Sequence, residues 1–250
     1  MLRLEEIAYV LHIEPFKETS GLVHFLTQGQ GHVLTVARGM KRRRGGQATL
    51  QPFIAWHIRA QGRGDLLSLS DYQAHRYWPQ PVNYSVSVTC AYIHELLIRL
   101  LRGNEANTLV FESYEQVLDK LLNQNTHPCE THIALALRPF EKRLLAALGY
   151  GLPLTHEPES GTLVSQDKYY IFDPLKGPRP VPASTIGAIR GDSFWALETE
   201  VLDDKQHLYD AKRLTRVALR AQLGDKPLNS QRLWLRKSSV KEKERSNCHE

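Results

Sequence analysis

The spacing of apolar residues changes once along this chain, at Trp78-Pro79-Gln80-Pro81, and that change limits what it can fold into. Upstream the period is two. Ile7, Tyr9, Leu11 and Ile13 alternate with polar residues, and Leu22–Thr27 is rich in β-formers. Gln28-Gly29-Gln30-Gly31 reads as a turn before His32–Ala37, where Val33 and Val36 take opposite faces. Phe53–Ala60, a turn at 61–65 and Leu66–Ala74 complete five short strands in about 75 residues, with Leu67, Leu69 and Tyr72 pointing inward. Strands of this number and spacing, joined by glycine turns, predict a small barrel or sandwich, with a five-stranded OB-type barrel preferred and an SH3-like barrel left open by the pattern alone. The two prolines fix φ, lack a donor and hold the residue before them extended, so neither kind of element continues through them.

Downstream the period is that of a helix. Tyr84–Arg102 is predicted helical, stopped by Gly103. Thr108–Leu122 carries Phe111, Tyr114, Leu118 and Leu121 on one face. Glu130–Leu148 keeps the period, with Pro139 inside it as an expected kink, and Gly149-Tyr150-Gly151 closes it. Leu152–Pro182 holds six prolines and reads as irregular, with a two-stranded piece around Tyr169–Phe172. Short helical stretches are expected near 184–189 and 192–201, a longer helix from Asp204 to Leu223 ended by Gly224, and a last turn at Ser230–Leu235. The predicted organisation is an α+β multidomain chain. An N-terminal five-stranded OB-type β-barrel (1–78) binds nucleic acid. A mainly helical C-terminal domain (79–237) carries the proline-rich insert 152–182, and a charged tail (238–250) is expected to be flexible.

Charge placement points to a polyanion. Net charge is only +5, but five cations and no acid fall between Arg38 and Arg44, and eleven cations against four acids fall between Lys212 and Glu250. The rest of the chain is therefore mildly acidic, and two basic segments stand out from it. In the loop Arg38, Lys41, Arg42, Arg43 and Arg44 are flanked by glycines. Four consecutive cations repel one another, and a phosphate backbone relieves that repulsion. Lys212, Arg216 and Arg220 fall at i, i+4 and i+8 on one predicted helix face, with Arg213 beside them. Phe16, Phe25, Phe53 and Trp56 are candidate base-stacking groups, with most of them expected in the core.

Other chemistry finds little support. Cys90, Cys129 and Cys248 are odd in number and scattered, which argues against a disulfide framework and fits a reducing cytoplasm. The residues His127-Pro128-Cys129-Glu130-Thr131-His132 match no standard zinc spacing, and Glu130 is explained by the helix dipole. No phosphate-binding loop, dinucleotide fingerprint or nucleophile elbow is present, so no catalytic residue, metal or cofactor is expected. No run approaches the roughly 18 apolar residues of a membrane helix, and Leu2–Glu6 lacks the basic start of a signal peptide. A metal-dependent DNA-processing enzyme and a pure protein-interaction adaptor remain as alternatives to DNA binding.

Several blocks in order resemble the RecO family of bacterial recombination mediators and DNA-repair proteins. They are Tyr9-Val10-Leu11-His12 with Pro15-Phe16-Lys17-Glu18-Thr19-Ser20, Ala48–Phe53, Tyr92-Ile93-His94-Glu95-Leu96-Leu97, Phe140-Glu141 with Leu148-Gly149-Tyr150-Gly151, and Gly224-Asp225-Lys226-Pro227-Leu228-Asn229-Ser230. The resemblance implies an OB domain and a helical domain. It implies binding of single- and double-stranded DNA, annealing of complementary strands, and help in loading RecA onto strands coated by single-strand-binding protein (SSB). RecR and the SSB C-terminal tail are the implied partners. Many members carry a four-cysteine zinc site in the region matching Leu152–Pro182, where this chain has no cysteine, so no zinc is carried over. The tail pocket is implied near Arg138, Lys142 and Arg143, with Pro139 standing where a further cation is an option. The expected location is the bacterial cytoplasm, associated with the nucleoid during repair.

Overall fold

The computed structural model describes residues 2–39, 49–81, 83–101, 106–123 and 128–233. Five strands form a closed barrel: β1 (Leu2–Phe16), β2 (Ser20–Thr27), β3 (Gly31–Ala37), β4 (Ile54–Gly62) and β5 (Leu66–Tyr77), in the order β1-β2-β3-β5-β4. β1 serves two neighbours. Its first half pairs with β4, from Leu2↔Gly62 to Tyr9↔Ala55, and its second half with β2, from Ala8↔Thr27 to Phe16↔Ser20. Between Val10 and His12 the partner on β2 moves by only one residue, from Phe25 to His24, so Leu11 is the extra residue of a β-bulge. A parallel pairing, β3 with β5 from Leu34↔Leu66 to Ala37↔Leu69, closes the ring and removes its edges. This connectivity decides for the OB-type barrel.

Alternation fills the interior. Val10, Phe25, Val33, Trp56, Ile58 and Leu67 point inward and are at most 3% exposed. The Trp56 indole N–H donates to the Gln51 carbonyl at 3.1 Å. Thr35, in the same inward alternation, is fully buried. Burial of side chains of this size stabilises by about 1.5–3 kcal/mol each.

Helices α1 (Tyr84–Leu100) and α2 (Thr108–Leu122) belong to the same compact unit as the barrel. Each starts on an asparagine whose side chain accepts a backbone N–H: Asn83 from Ser85 and Asn107 from Val110. They cover the outer wall around Tyr9, which is fully buried and lies edge-on to Trp78 and Tyr114 at 5.4 and 5.1 Å between ring centres. Trp78, the residue before the proline connector, turns inward and donates its indole N–H to Asp119 at 2.8 Å. The packing unit therefore runs through the change of period. The segment after Asp225 returns to it. Glu95 on α1 accepts the backbone N–H groups of Asn229 and Ser230 at 2.7 and 2.9 Å, capping a helical turn at 229–233, and Arg99 donates to the carbonyls of Lys226 and Pro227.

The second compact unit ends at Asp225. It holds α3 (Glu130–Ala147), α4 (Gly191–Thr199), α5 (Lys205–Leu223) and a sheet of β6 (Tyr169–Asp173), β7 (Gly177–Val181) and β8 (Ile189–Arg190) in the order β7-β6-β8. α3 runs unbroken through Pro139. Tyr170, Phe194, Leu197 and Leu214 are at most 1% exposed at its core. The segment 184–189, expected to be helical, is instead turns leading into β8: Gly187 takes φ +83°, and Ile189 pairs with Tyr170. Pro178 and Pro180 sit on edge strand β7, where their missing donors cost the ladder nothing. The preceding loop is tied by polar contacts. Glu157 accepts the Ser160 hydroxyl at 2.9 Å and the Tyr170 hydroxyl at 3.2 Å, and Tyr170 in turn accepts the Ser165 N–H at 2.9 Å. At the join of β8 to α4 the backbones approach so closely that a Cβ on Gly191 would fall 1.9 Å from the Ser165 carbonyl oxygen.

Candidate nucleic-acid interface

In the barrel unit the outer face of β1-β2-β3 is set by the pairing register. Residues two apart share a face, and Val23, Phe25, Val33 and Ala37 face the core. Leu22, His24 and Leu26 on β2 and His32, Leu34 and Val36 on β3 therefore point outward. Beyond the bulge so do His12, Glu14 and Phe16 on β1. Arg38 is exposed at the end of β3, and Gly39 turns the chain with φ +69°. Lys41, Arg42, Arg43 and Arg44 lie outside the described residues.

Three histidines cross this face on three consecutive strands. His12 stands opposite His24, with ring centres 6.0 Å apart. His24 and His32 are stacked, 5.2 Å apart and 11° from parallel, with His24 Nδ1 3.0 Å from His32 Nε2. His24 Nε2 lies 3.6 Å from Glu14 Oε1. Burial pushes His32 down to about 4, with the neighbouring His24 adding to the effect. Burial also lowers His24, against the pull of Glu14. The sequence signal for this row was available, a histidine at an outward position of each strand, and it was missed.

Of the four aromatic candidates, Phe25, Phe53 and Trp56 are buried, which leaves Phe16 half-exposed with the Lys17 ammonium 5.5 Å from its ring. Tyr77, which the pattern did not single out, is 65% exposed at the end of β5, beside Arg76, whose guanidinium lies 4.1 Å over the Trp78 ring.

In the second unit, α5 starts on Asp204, whose carboxylate accepts the His207 N–H at 2.7 Å and is held low by that bond. Ala211, Leu214 and Ala218 bury one face, which leaves Lys212, Arg216 and Arg220 exposed on the other. At 1.5 Å per residue the three span about 12 Å of helix. The Lys212 ammonium is pulled down first by partial desolvation and then by the cations Arg138 and Arg216. Arg213 is a different kind of residue. It donates to Asp210 at 3.0 Å and to the Gly187 carbonyl, and so ties the turn before β8 to α5. Asp210, 1% exposed, also accepts from Ser193 and Gln206.

The residues proposed for a protein tail have internal partners. Arg138 is 8% exposed and donates to Glu141, which is fully buried and accepts the Thr215 hydroxyl at 2.6 Å. Lys142 donates to the Glu198 carbonyl at 2.6 Å and lies 3.3 Å from Glu200. Arg143 grips Glu200 with two N–H groups. Burial alone would raise the Glu200 carboxyl, but these two cations hold it below its ordinary value.

Among the described residues no three His, Cys, Asp or Glu side chains are grouped so as to hold a metal ion. Cys129 Sγ lies 3.4 Å from His132 Nδ1, and His127 is outside the described set. No helix among these residues is long and apolar enough to cross a membrane.

Two family models match the chain in order: Recombination protein O N terminal over residues 1–78, and Recombination protein O C terminal over residues 83–232. A DNA repair protein RecO of Nitrosococcus oceani is 37% identical over 230 residues, covering 90% of each chain. The RecO of Serratia proteamaculans is 34% identical over 230 residues, with 92% of each chain covered. That of Coxiella burnetii is 33% identical over 235 residues, 91% of this chain and 96% of the relative. With the barrel and the helical part each matched and the relatives spanning nearly the full length, this chain belongs to the RecO family of DNA repair and recombination proteins.

Proposed function

We propose that this protein is a recombination mediator that binds single- and double-stranded DNA, anneals complementary strands and helps load RecA onto SSB-coated DNA, without a chemical step of its own. The observation that carries the reading is the exposed stripe Lys212, Arg216 and Arg220 on α5. Arg38 and the loop cations Lys41, Arg42, Arg43 and Arg44 supply a second group of phosphate contacts in the barrel unit. Neutralising phosphates lowers the repulsion between two strands, and base pairing then supplies the free energy of annealing. Arg213, engaged by Asp210 and Gly187, positions α5 and is not counted among the phosphate contacts.

RecR and the acidic tail of SSB are the proposed protein partners. Lys142 and Arg143 are the tail-binding candidates at the surface, because Arg138 is enclosed with Glu141. A tail carboxylate would have to displace or share Glu200.

The test is annealing of SSB-coated complementary oligonucleotides with and without the protein. Acceleration supports mediation, and an unchanged rate refutes it. Replacing Lys41–Arg44 by alanine should flatten the dependence of log affinity on log salt, expected near −3.5 to −4.5 for about five phosphates.

A further inference from the structure

The histidine row has the geometry of a site for a single proton. Both nitrogens of His24 face an acceptor: Nδ1 is 3.0 Å from His32 Nε2, and Nε2 is 3.6 Å from Glu14 Oε1. An imidazolium at His24 donates from Nδ1 to a neutral His32 and is attracted through Nε2 to the Glu14 carboxylate 3.6 Å away. A second proton on His32 would remove the acceptor and set two cations against each other in stacked rings. The groups bearing on this position can be named. His12 opposes it from β1 and also bears on His94 of α1. From α2, Tyr114 is taken up by His94 and Glu115 by Tyr9. From β5 the neighbours across β3 are the uncharged Leu66 and Ser68. Arg38 follows at the end of β3 on the same outer alternation.

We propose that His24 takes up one proton when a DNA strand occupies the outer face of β1-β2-β3, so that binding at this face is tightened by mild acid. The inference rests on the DNA-binding reading above. In the free protein, partial burial and His12 keep His24 neutral near pH 7, with Glu14 opposing them. A polyanion over the face adds negative potential and favours the imidazolium. Linkage fixes the sign: if the complex holds more protons than the free protein, affinity rises as pH falls, by at most about tenfold per pH unit for one proton. His24 is placed to supply charge from beneath, beside cations that touch phosphate directly.

The experiment is fluorescence anisotropy of a labelled oligothymidylate, whose bases do not titrate in this window, from pH 8 to pH 5.5 at constant ionic strength. Calorimetry in buffers of different ionisation enthalpy counts the protons. The expected result is affinity about fivefold higher at pH 5.5 than at 7.5, with net proton uptake. His24→Gln should flatten the profile, and Glu14→Gln, at a surface position, should shift it to lower pH. Binding without pH dependence, or an undiminished slope in folded His24→Gln, overturns the inference and leaves DNA binding intact. Absence of binding at every pH overturns the DNA-binding reading, and this inference with it.

Discussion

The Tyr9 hydroxyl, on the outer wall of the barrel, donates a 2.6 Å hydrogen bond to the Glu115 carboxylate on α2. Burial and the adjacent carboxylate raise the phenol far above its ordinary value, so it remains a donor at any pH the fold survives. Tyr9→Phe keeps the ring contacts with Trp78 and Tyr114 and removes only the bond. The expected loss is about 1.5–3 kcal/mol, for a hydrogen bond to a charged group, read from urea unfolding.

Arg138 and Glu141 form an enclosed ion pair in the second unit. Arg138→Ala leaves the Glu141 carboxylate buried without its cation, and an expected loss of about 3–5 kcal/mol follows. Replacing both residues by methionine should recover much of that. Arg138→Ala unfolding at an unchanged midpoint would show that Arg138 is not structural.

Lys212, Arg216 and Arg220 should separate from Arg213 in a binding-against-stability comparison. Alanine at all three is expected to change stability by less than about 0.5 kcal/mol per site. It should also lower the salt slope of DNA binding by about 2–3. Arg213→Ala breaks contacts to Asp210 and Gly187 and should cost about 1–3 kcal/mol in stability. Equal effects of the four residues on stability would contradict this division.

His94 is buried and pushed down to about 4, chiefly by desolvation, while the bond to the Leu11 backbone acts the other way. Unfolding restores its ordinary value near 6.5, so the unfolded chain binds the extra proton between the two values. Stability is therefore intact above pH about 6.5 and falls below it, by up to roughly 1.4 kcal/mol per pH unit for this one group. Urea midpoints at pH 7.5, 6 and 5 should show the decline, and His94→Gln should make it shallower.

The barrel was legible because each of its strands has one buried face, and period two survives in the sequence. The pairing that closes it was not, since β3 against β5 is parallel and no local turn encodes it. The helix start at Asp204 and the stop at Gly224 followed from local chemistry. The segment 184–189 was misread because Ile186 and Ile189 look like a helical pair, whereas Ile186 is 97% exposed and Ile189 completes a sheet. Charge spacing put Lys212, Arg216 and Arg220 on one helix face, and the structure has them exposed together on α5. The same spacing grouped Arg213 with its neighbours, and the family resemblance put Arg138 in the tail pocket, because a buried carboxylate three residues away, Asp210 or Glu141, is indistinguishable in sequence from a solvated one.

The bulge at Leu11 works as a frame shift in the facing code of one strand. Ahead of it, odd-numbered residues such as Tyr9 look outward, toward α1 and α2. After it, even-numbered residues do, and His12 and Glu14 reach the surface while Ile13 turns to the core. The inserted residue is itself used, since its backbone bonds to His94. Deleting Leu11 would make the ladder against β2 continuous, with Val10 and His12 adjacent opposite Phe25 and His24 and His12 still facing outward, and would deprive His94 of that bond. One additional amino acid thus marks the join between the half of β1 that carries Tyr9 beside α2 and the half that carries His12 and Glu14 in the histidine row.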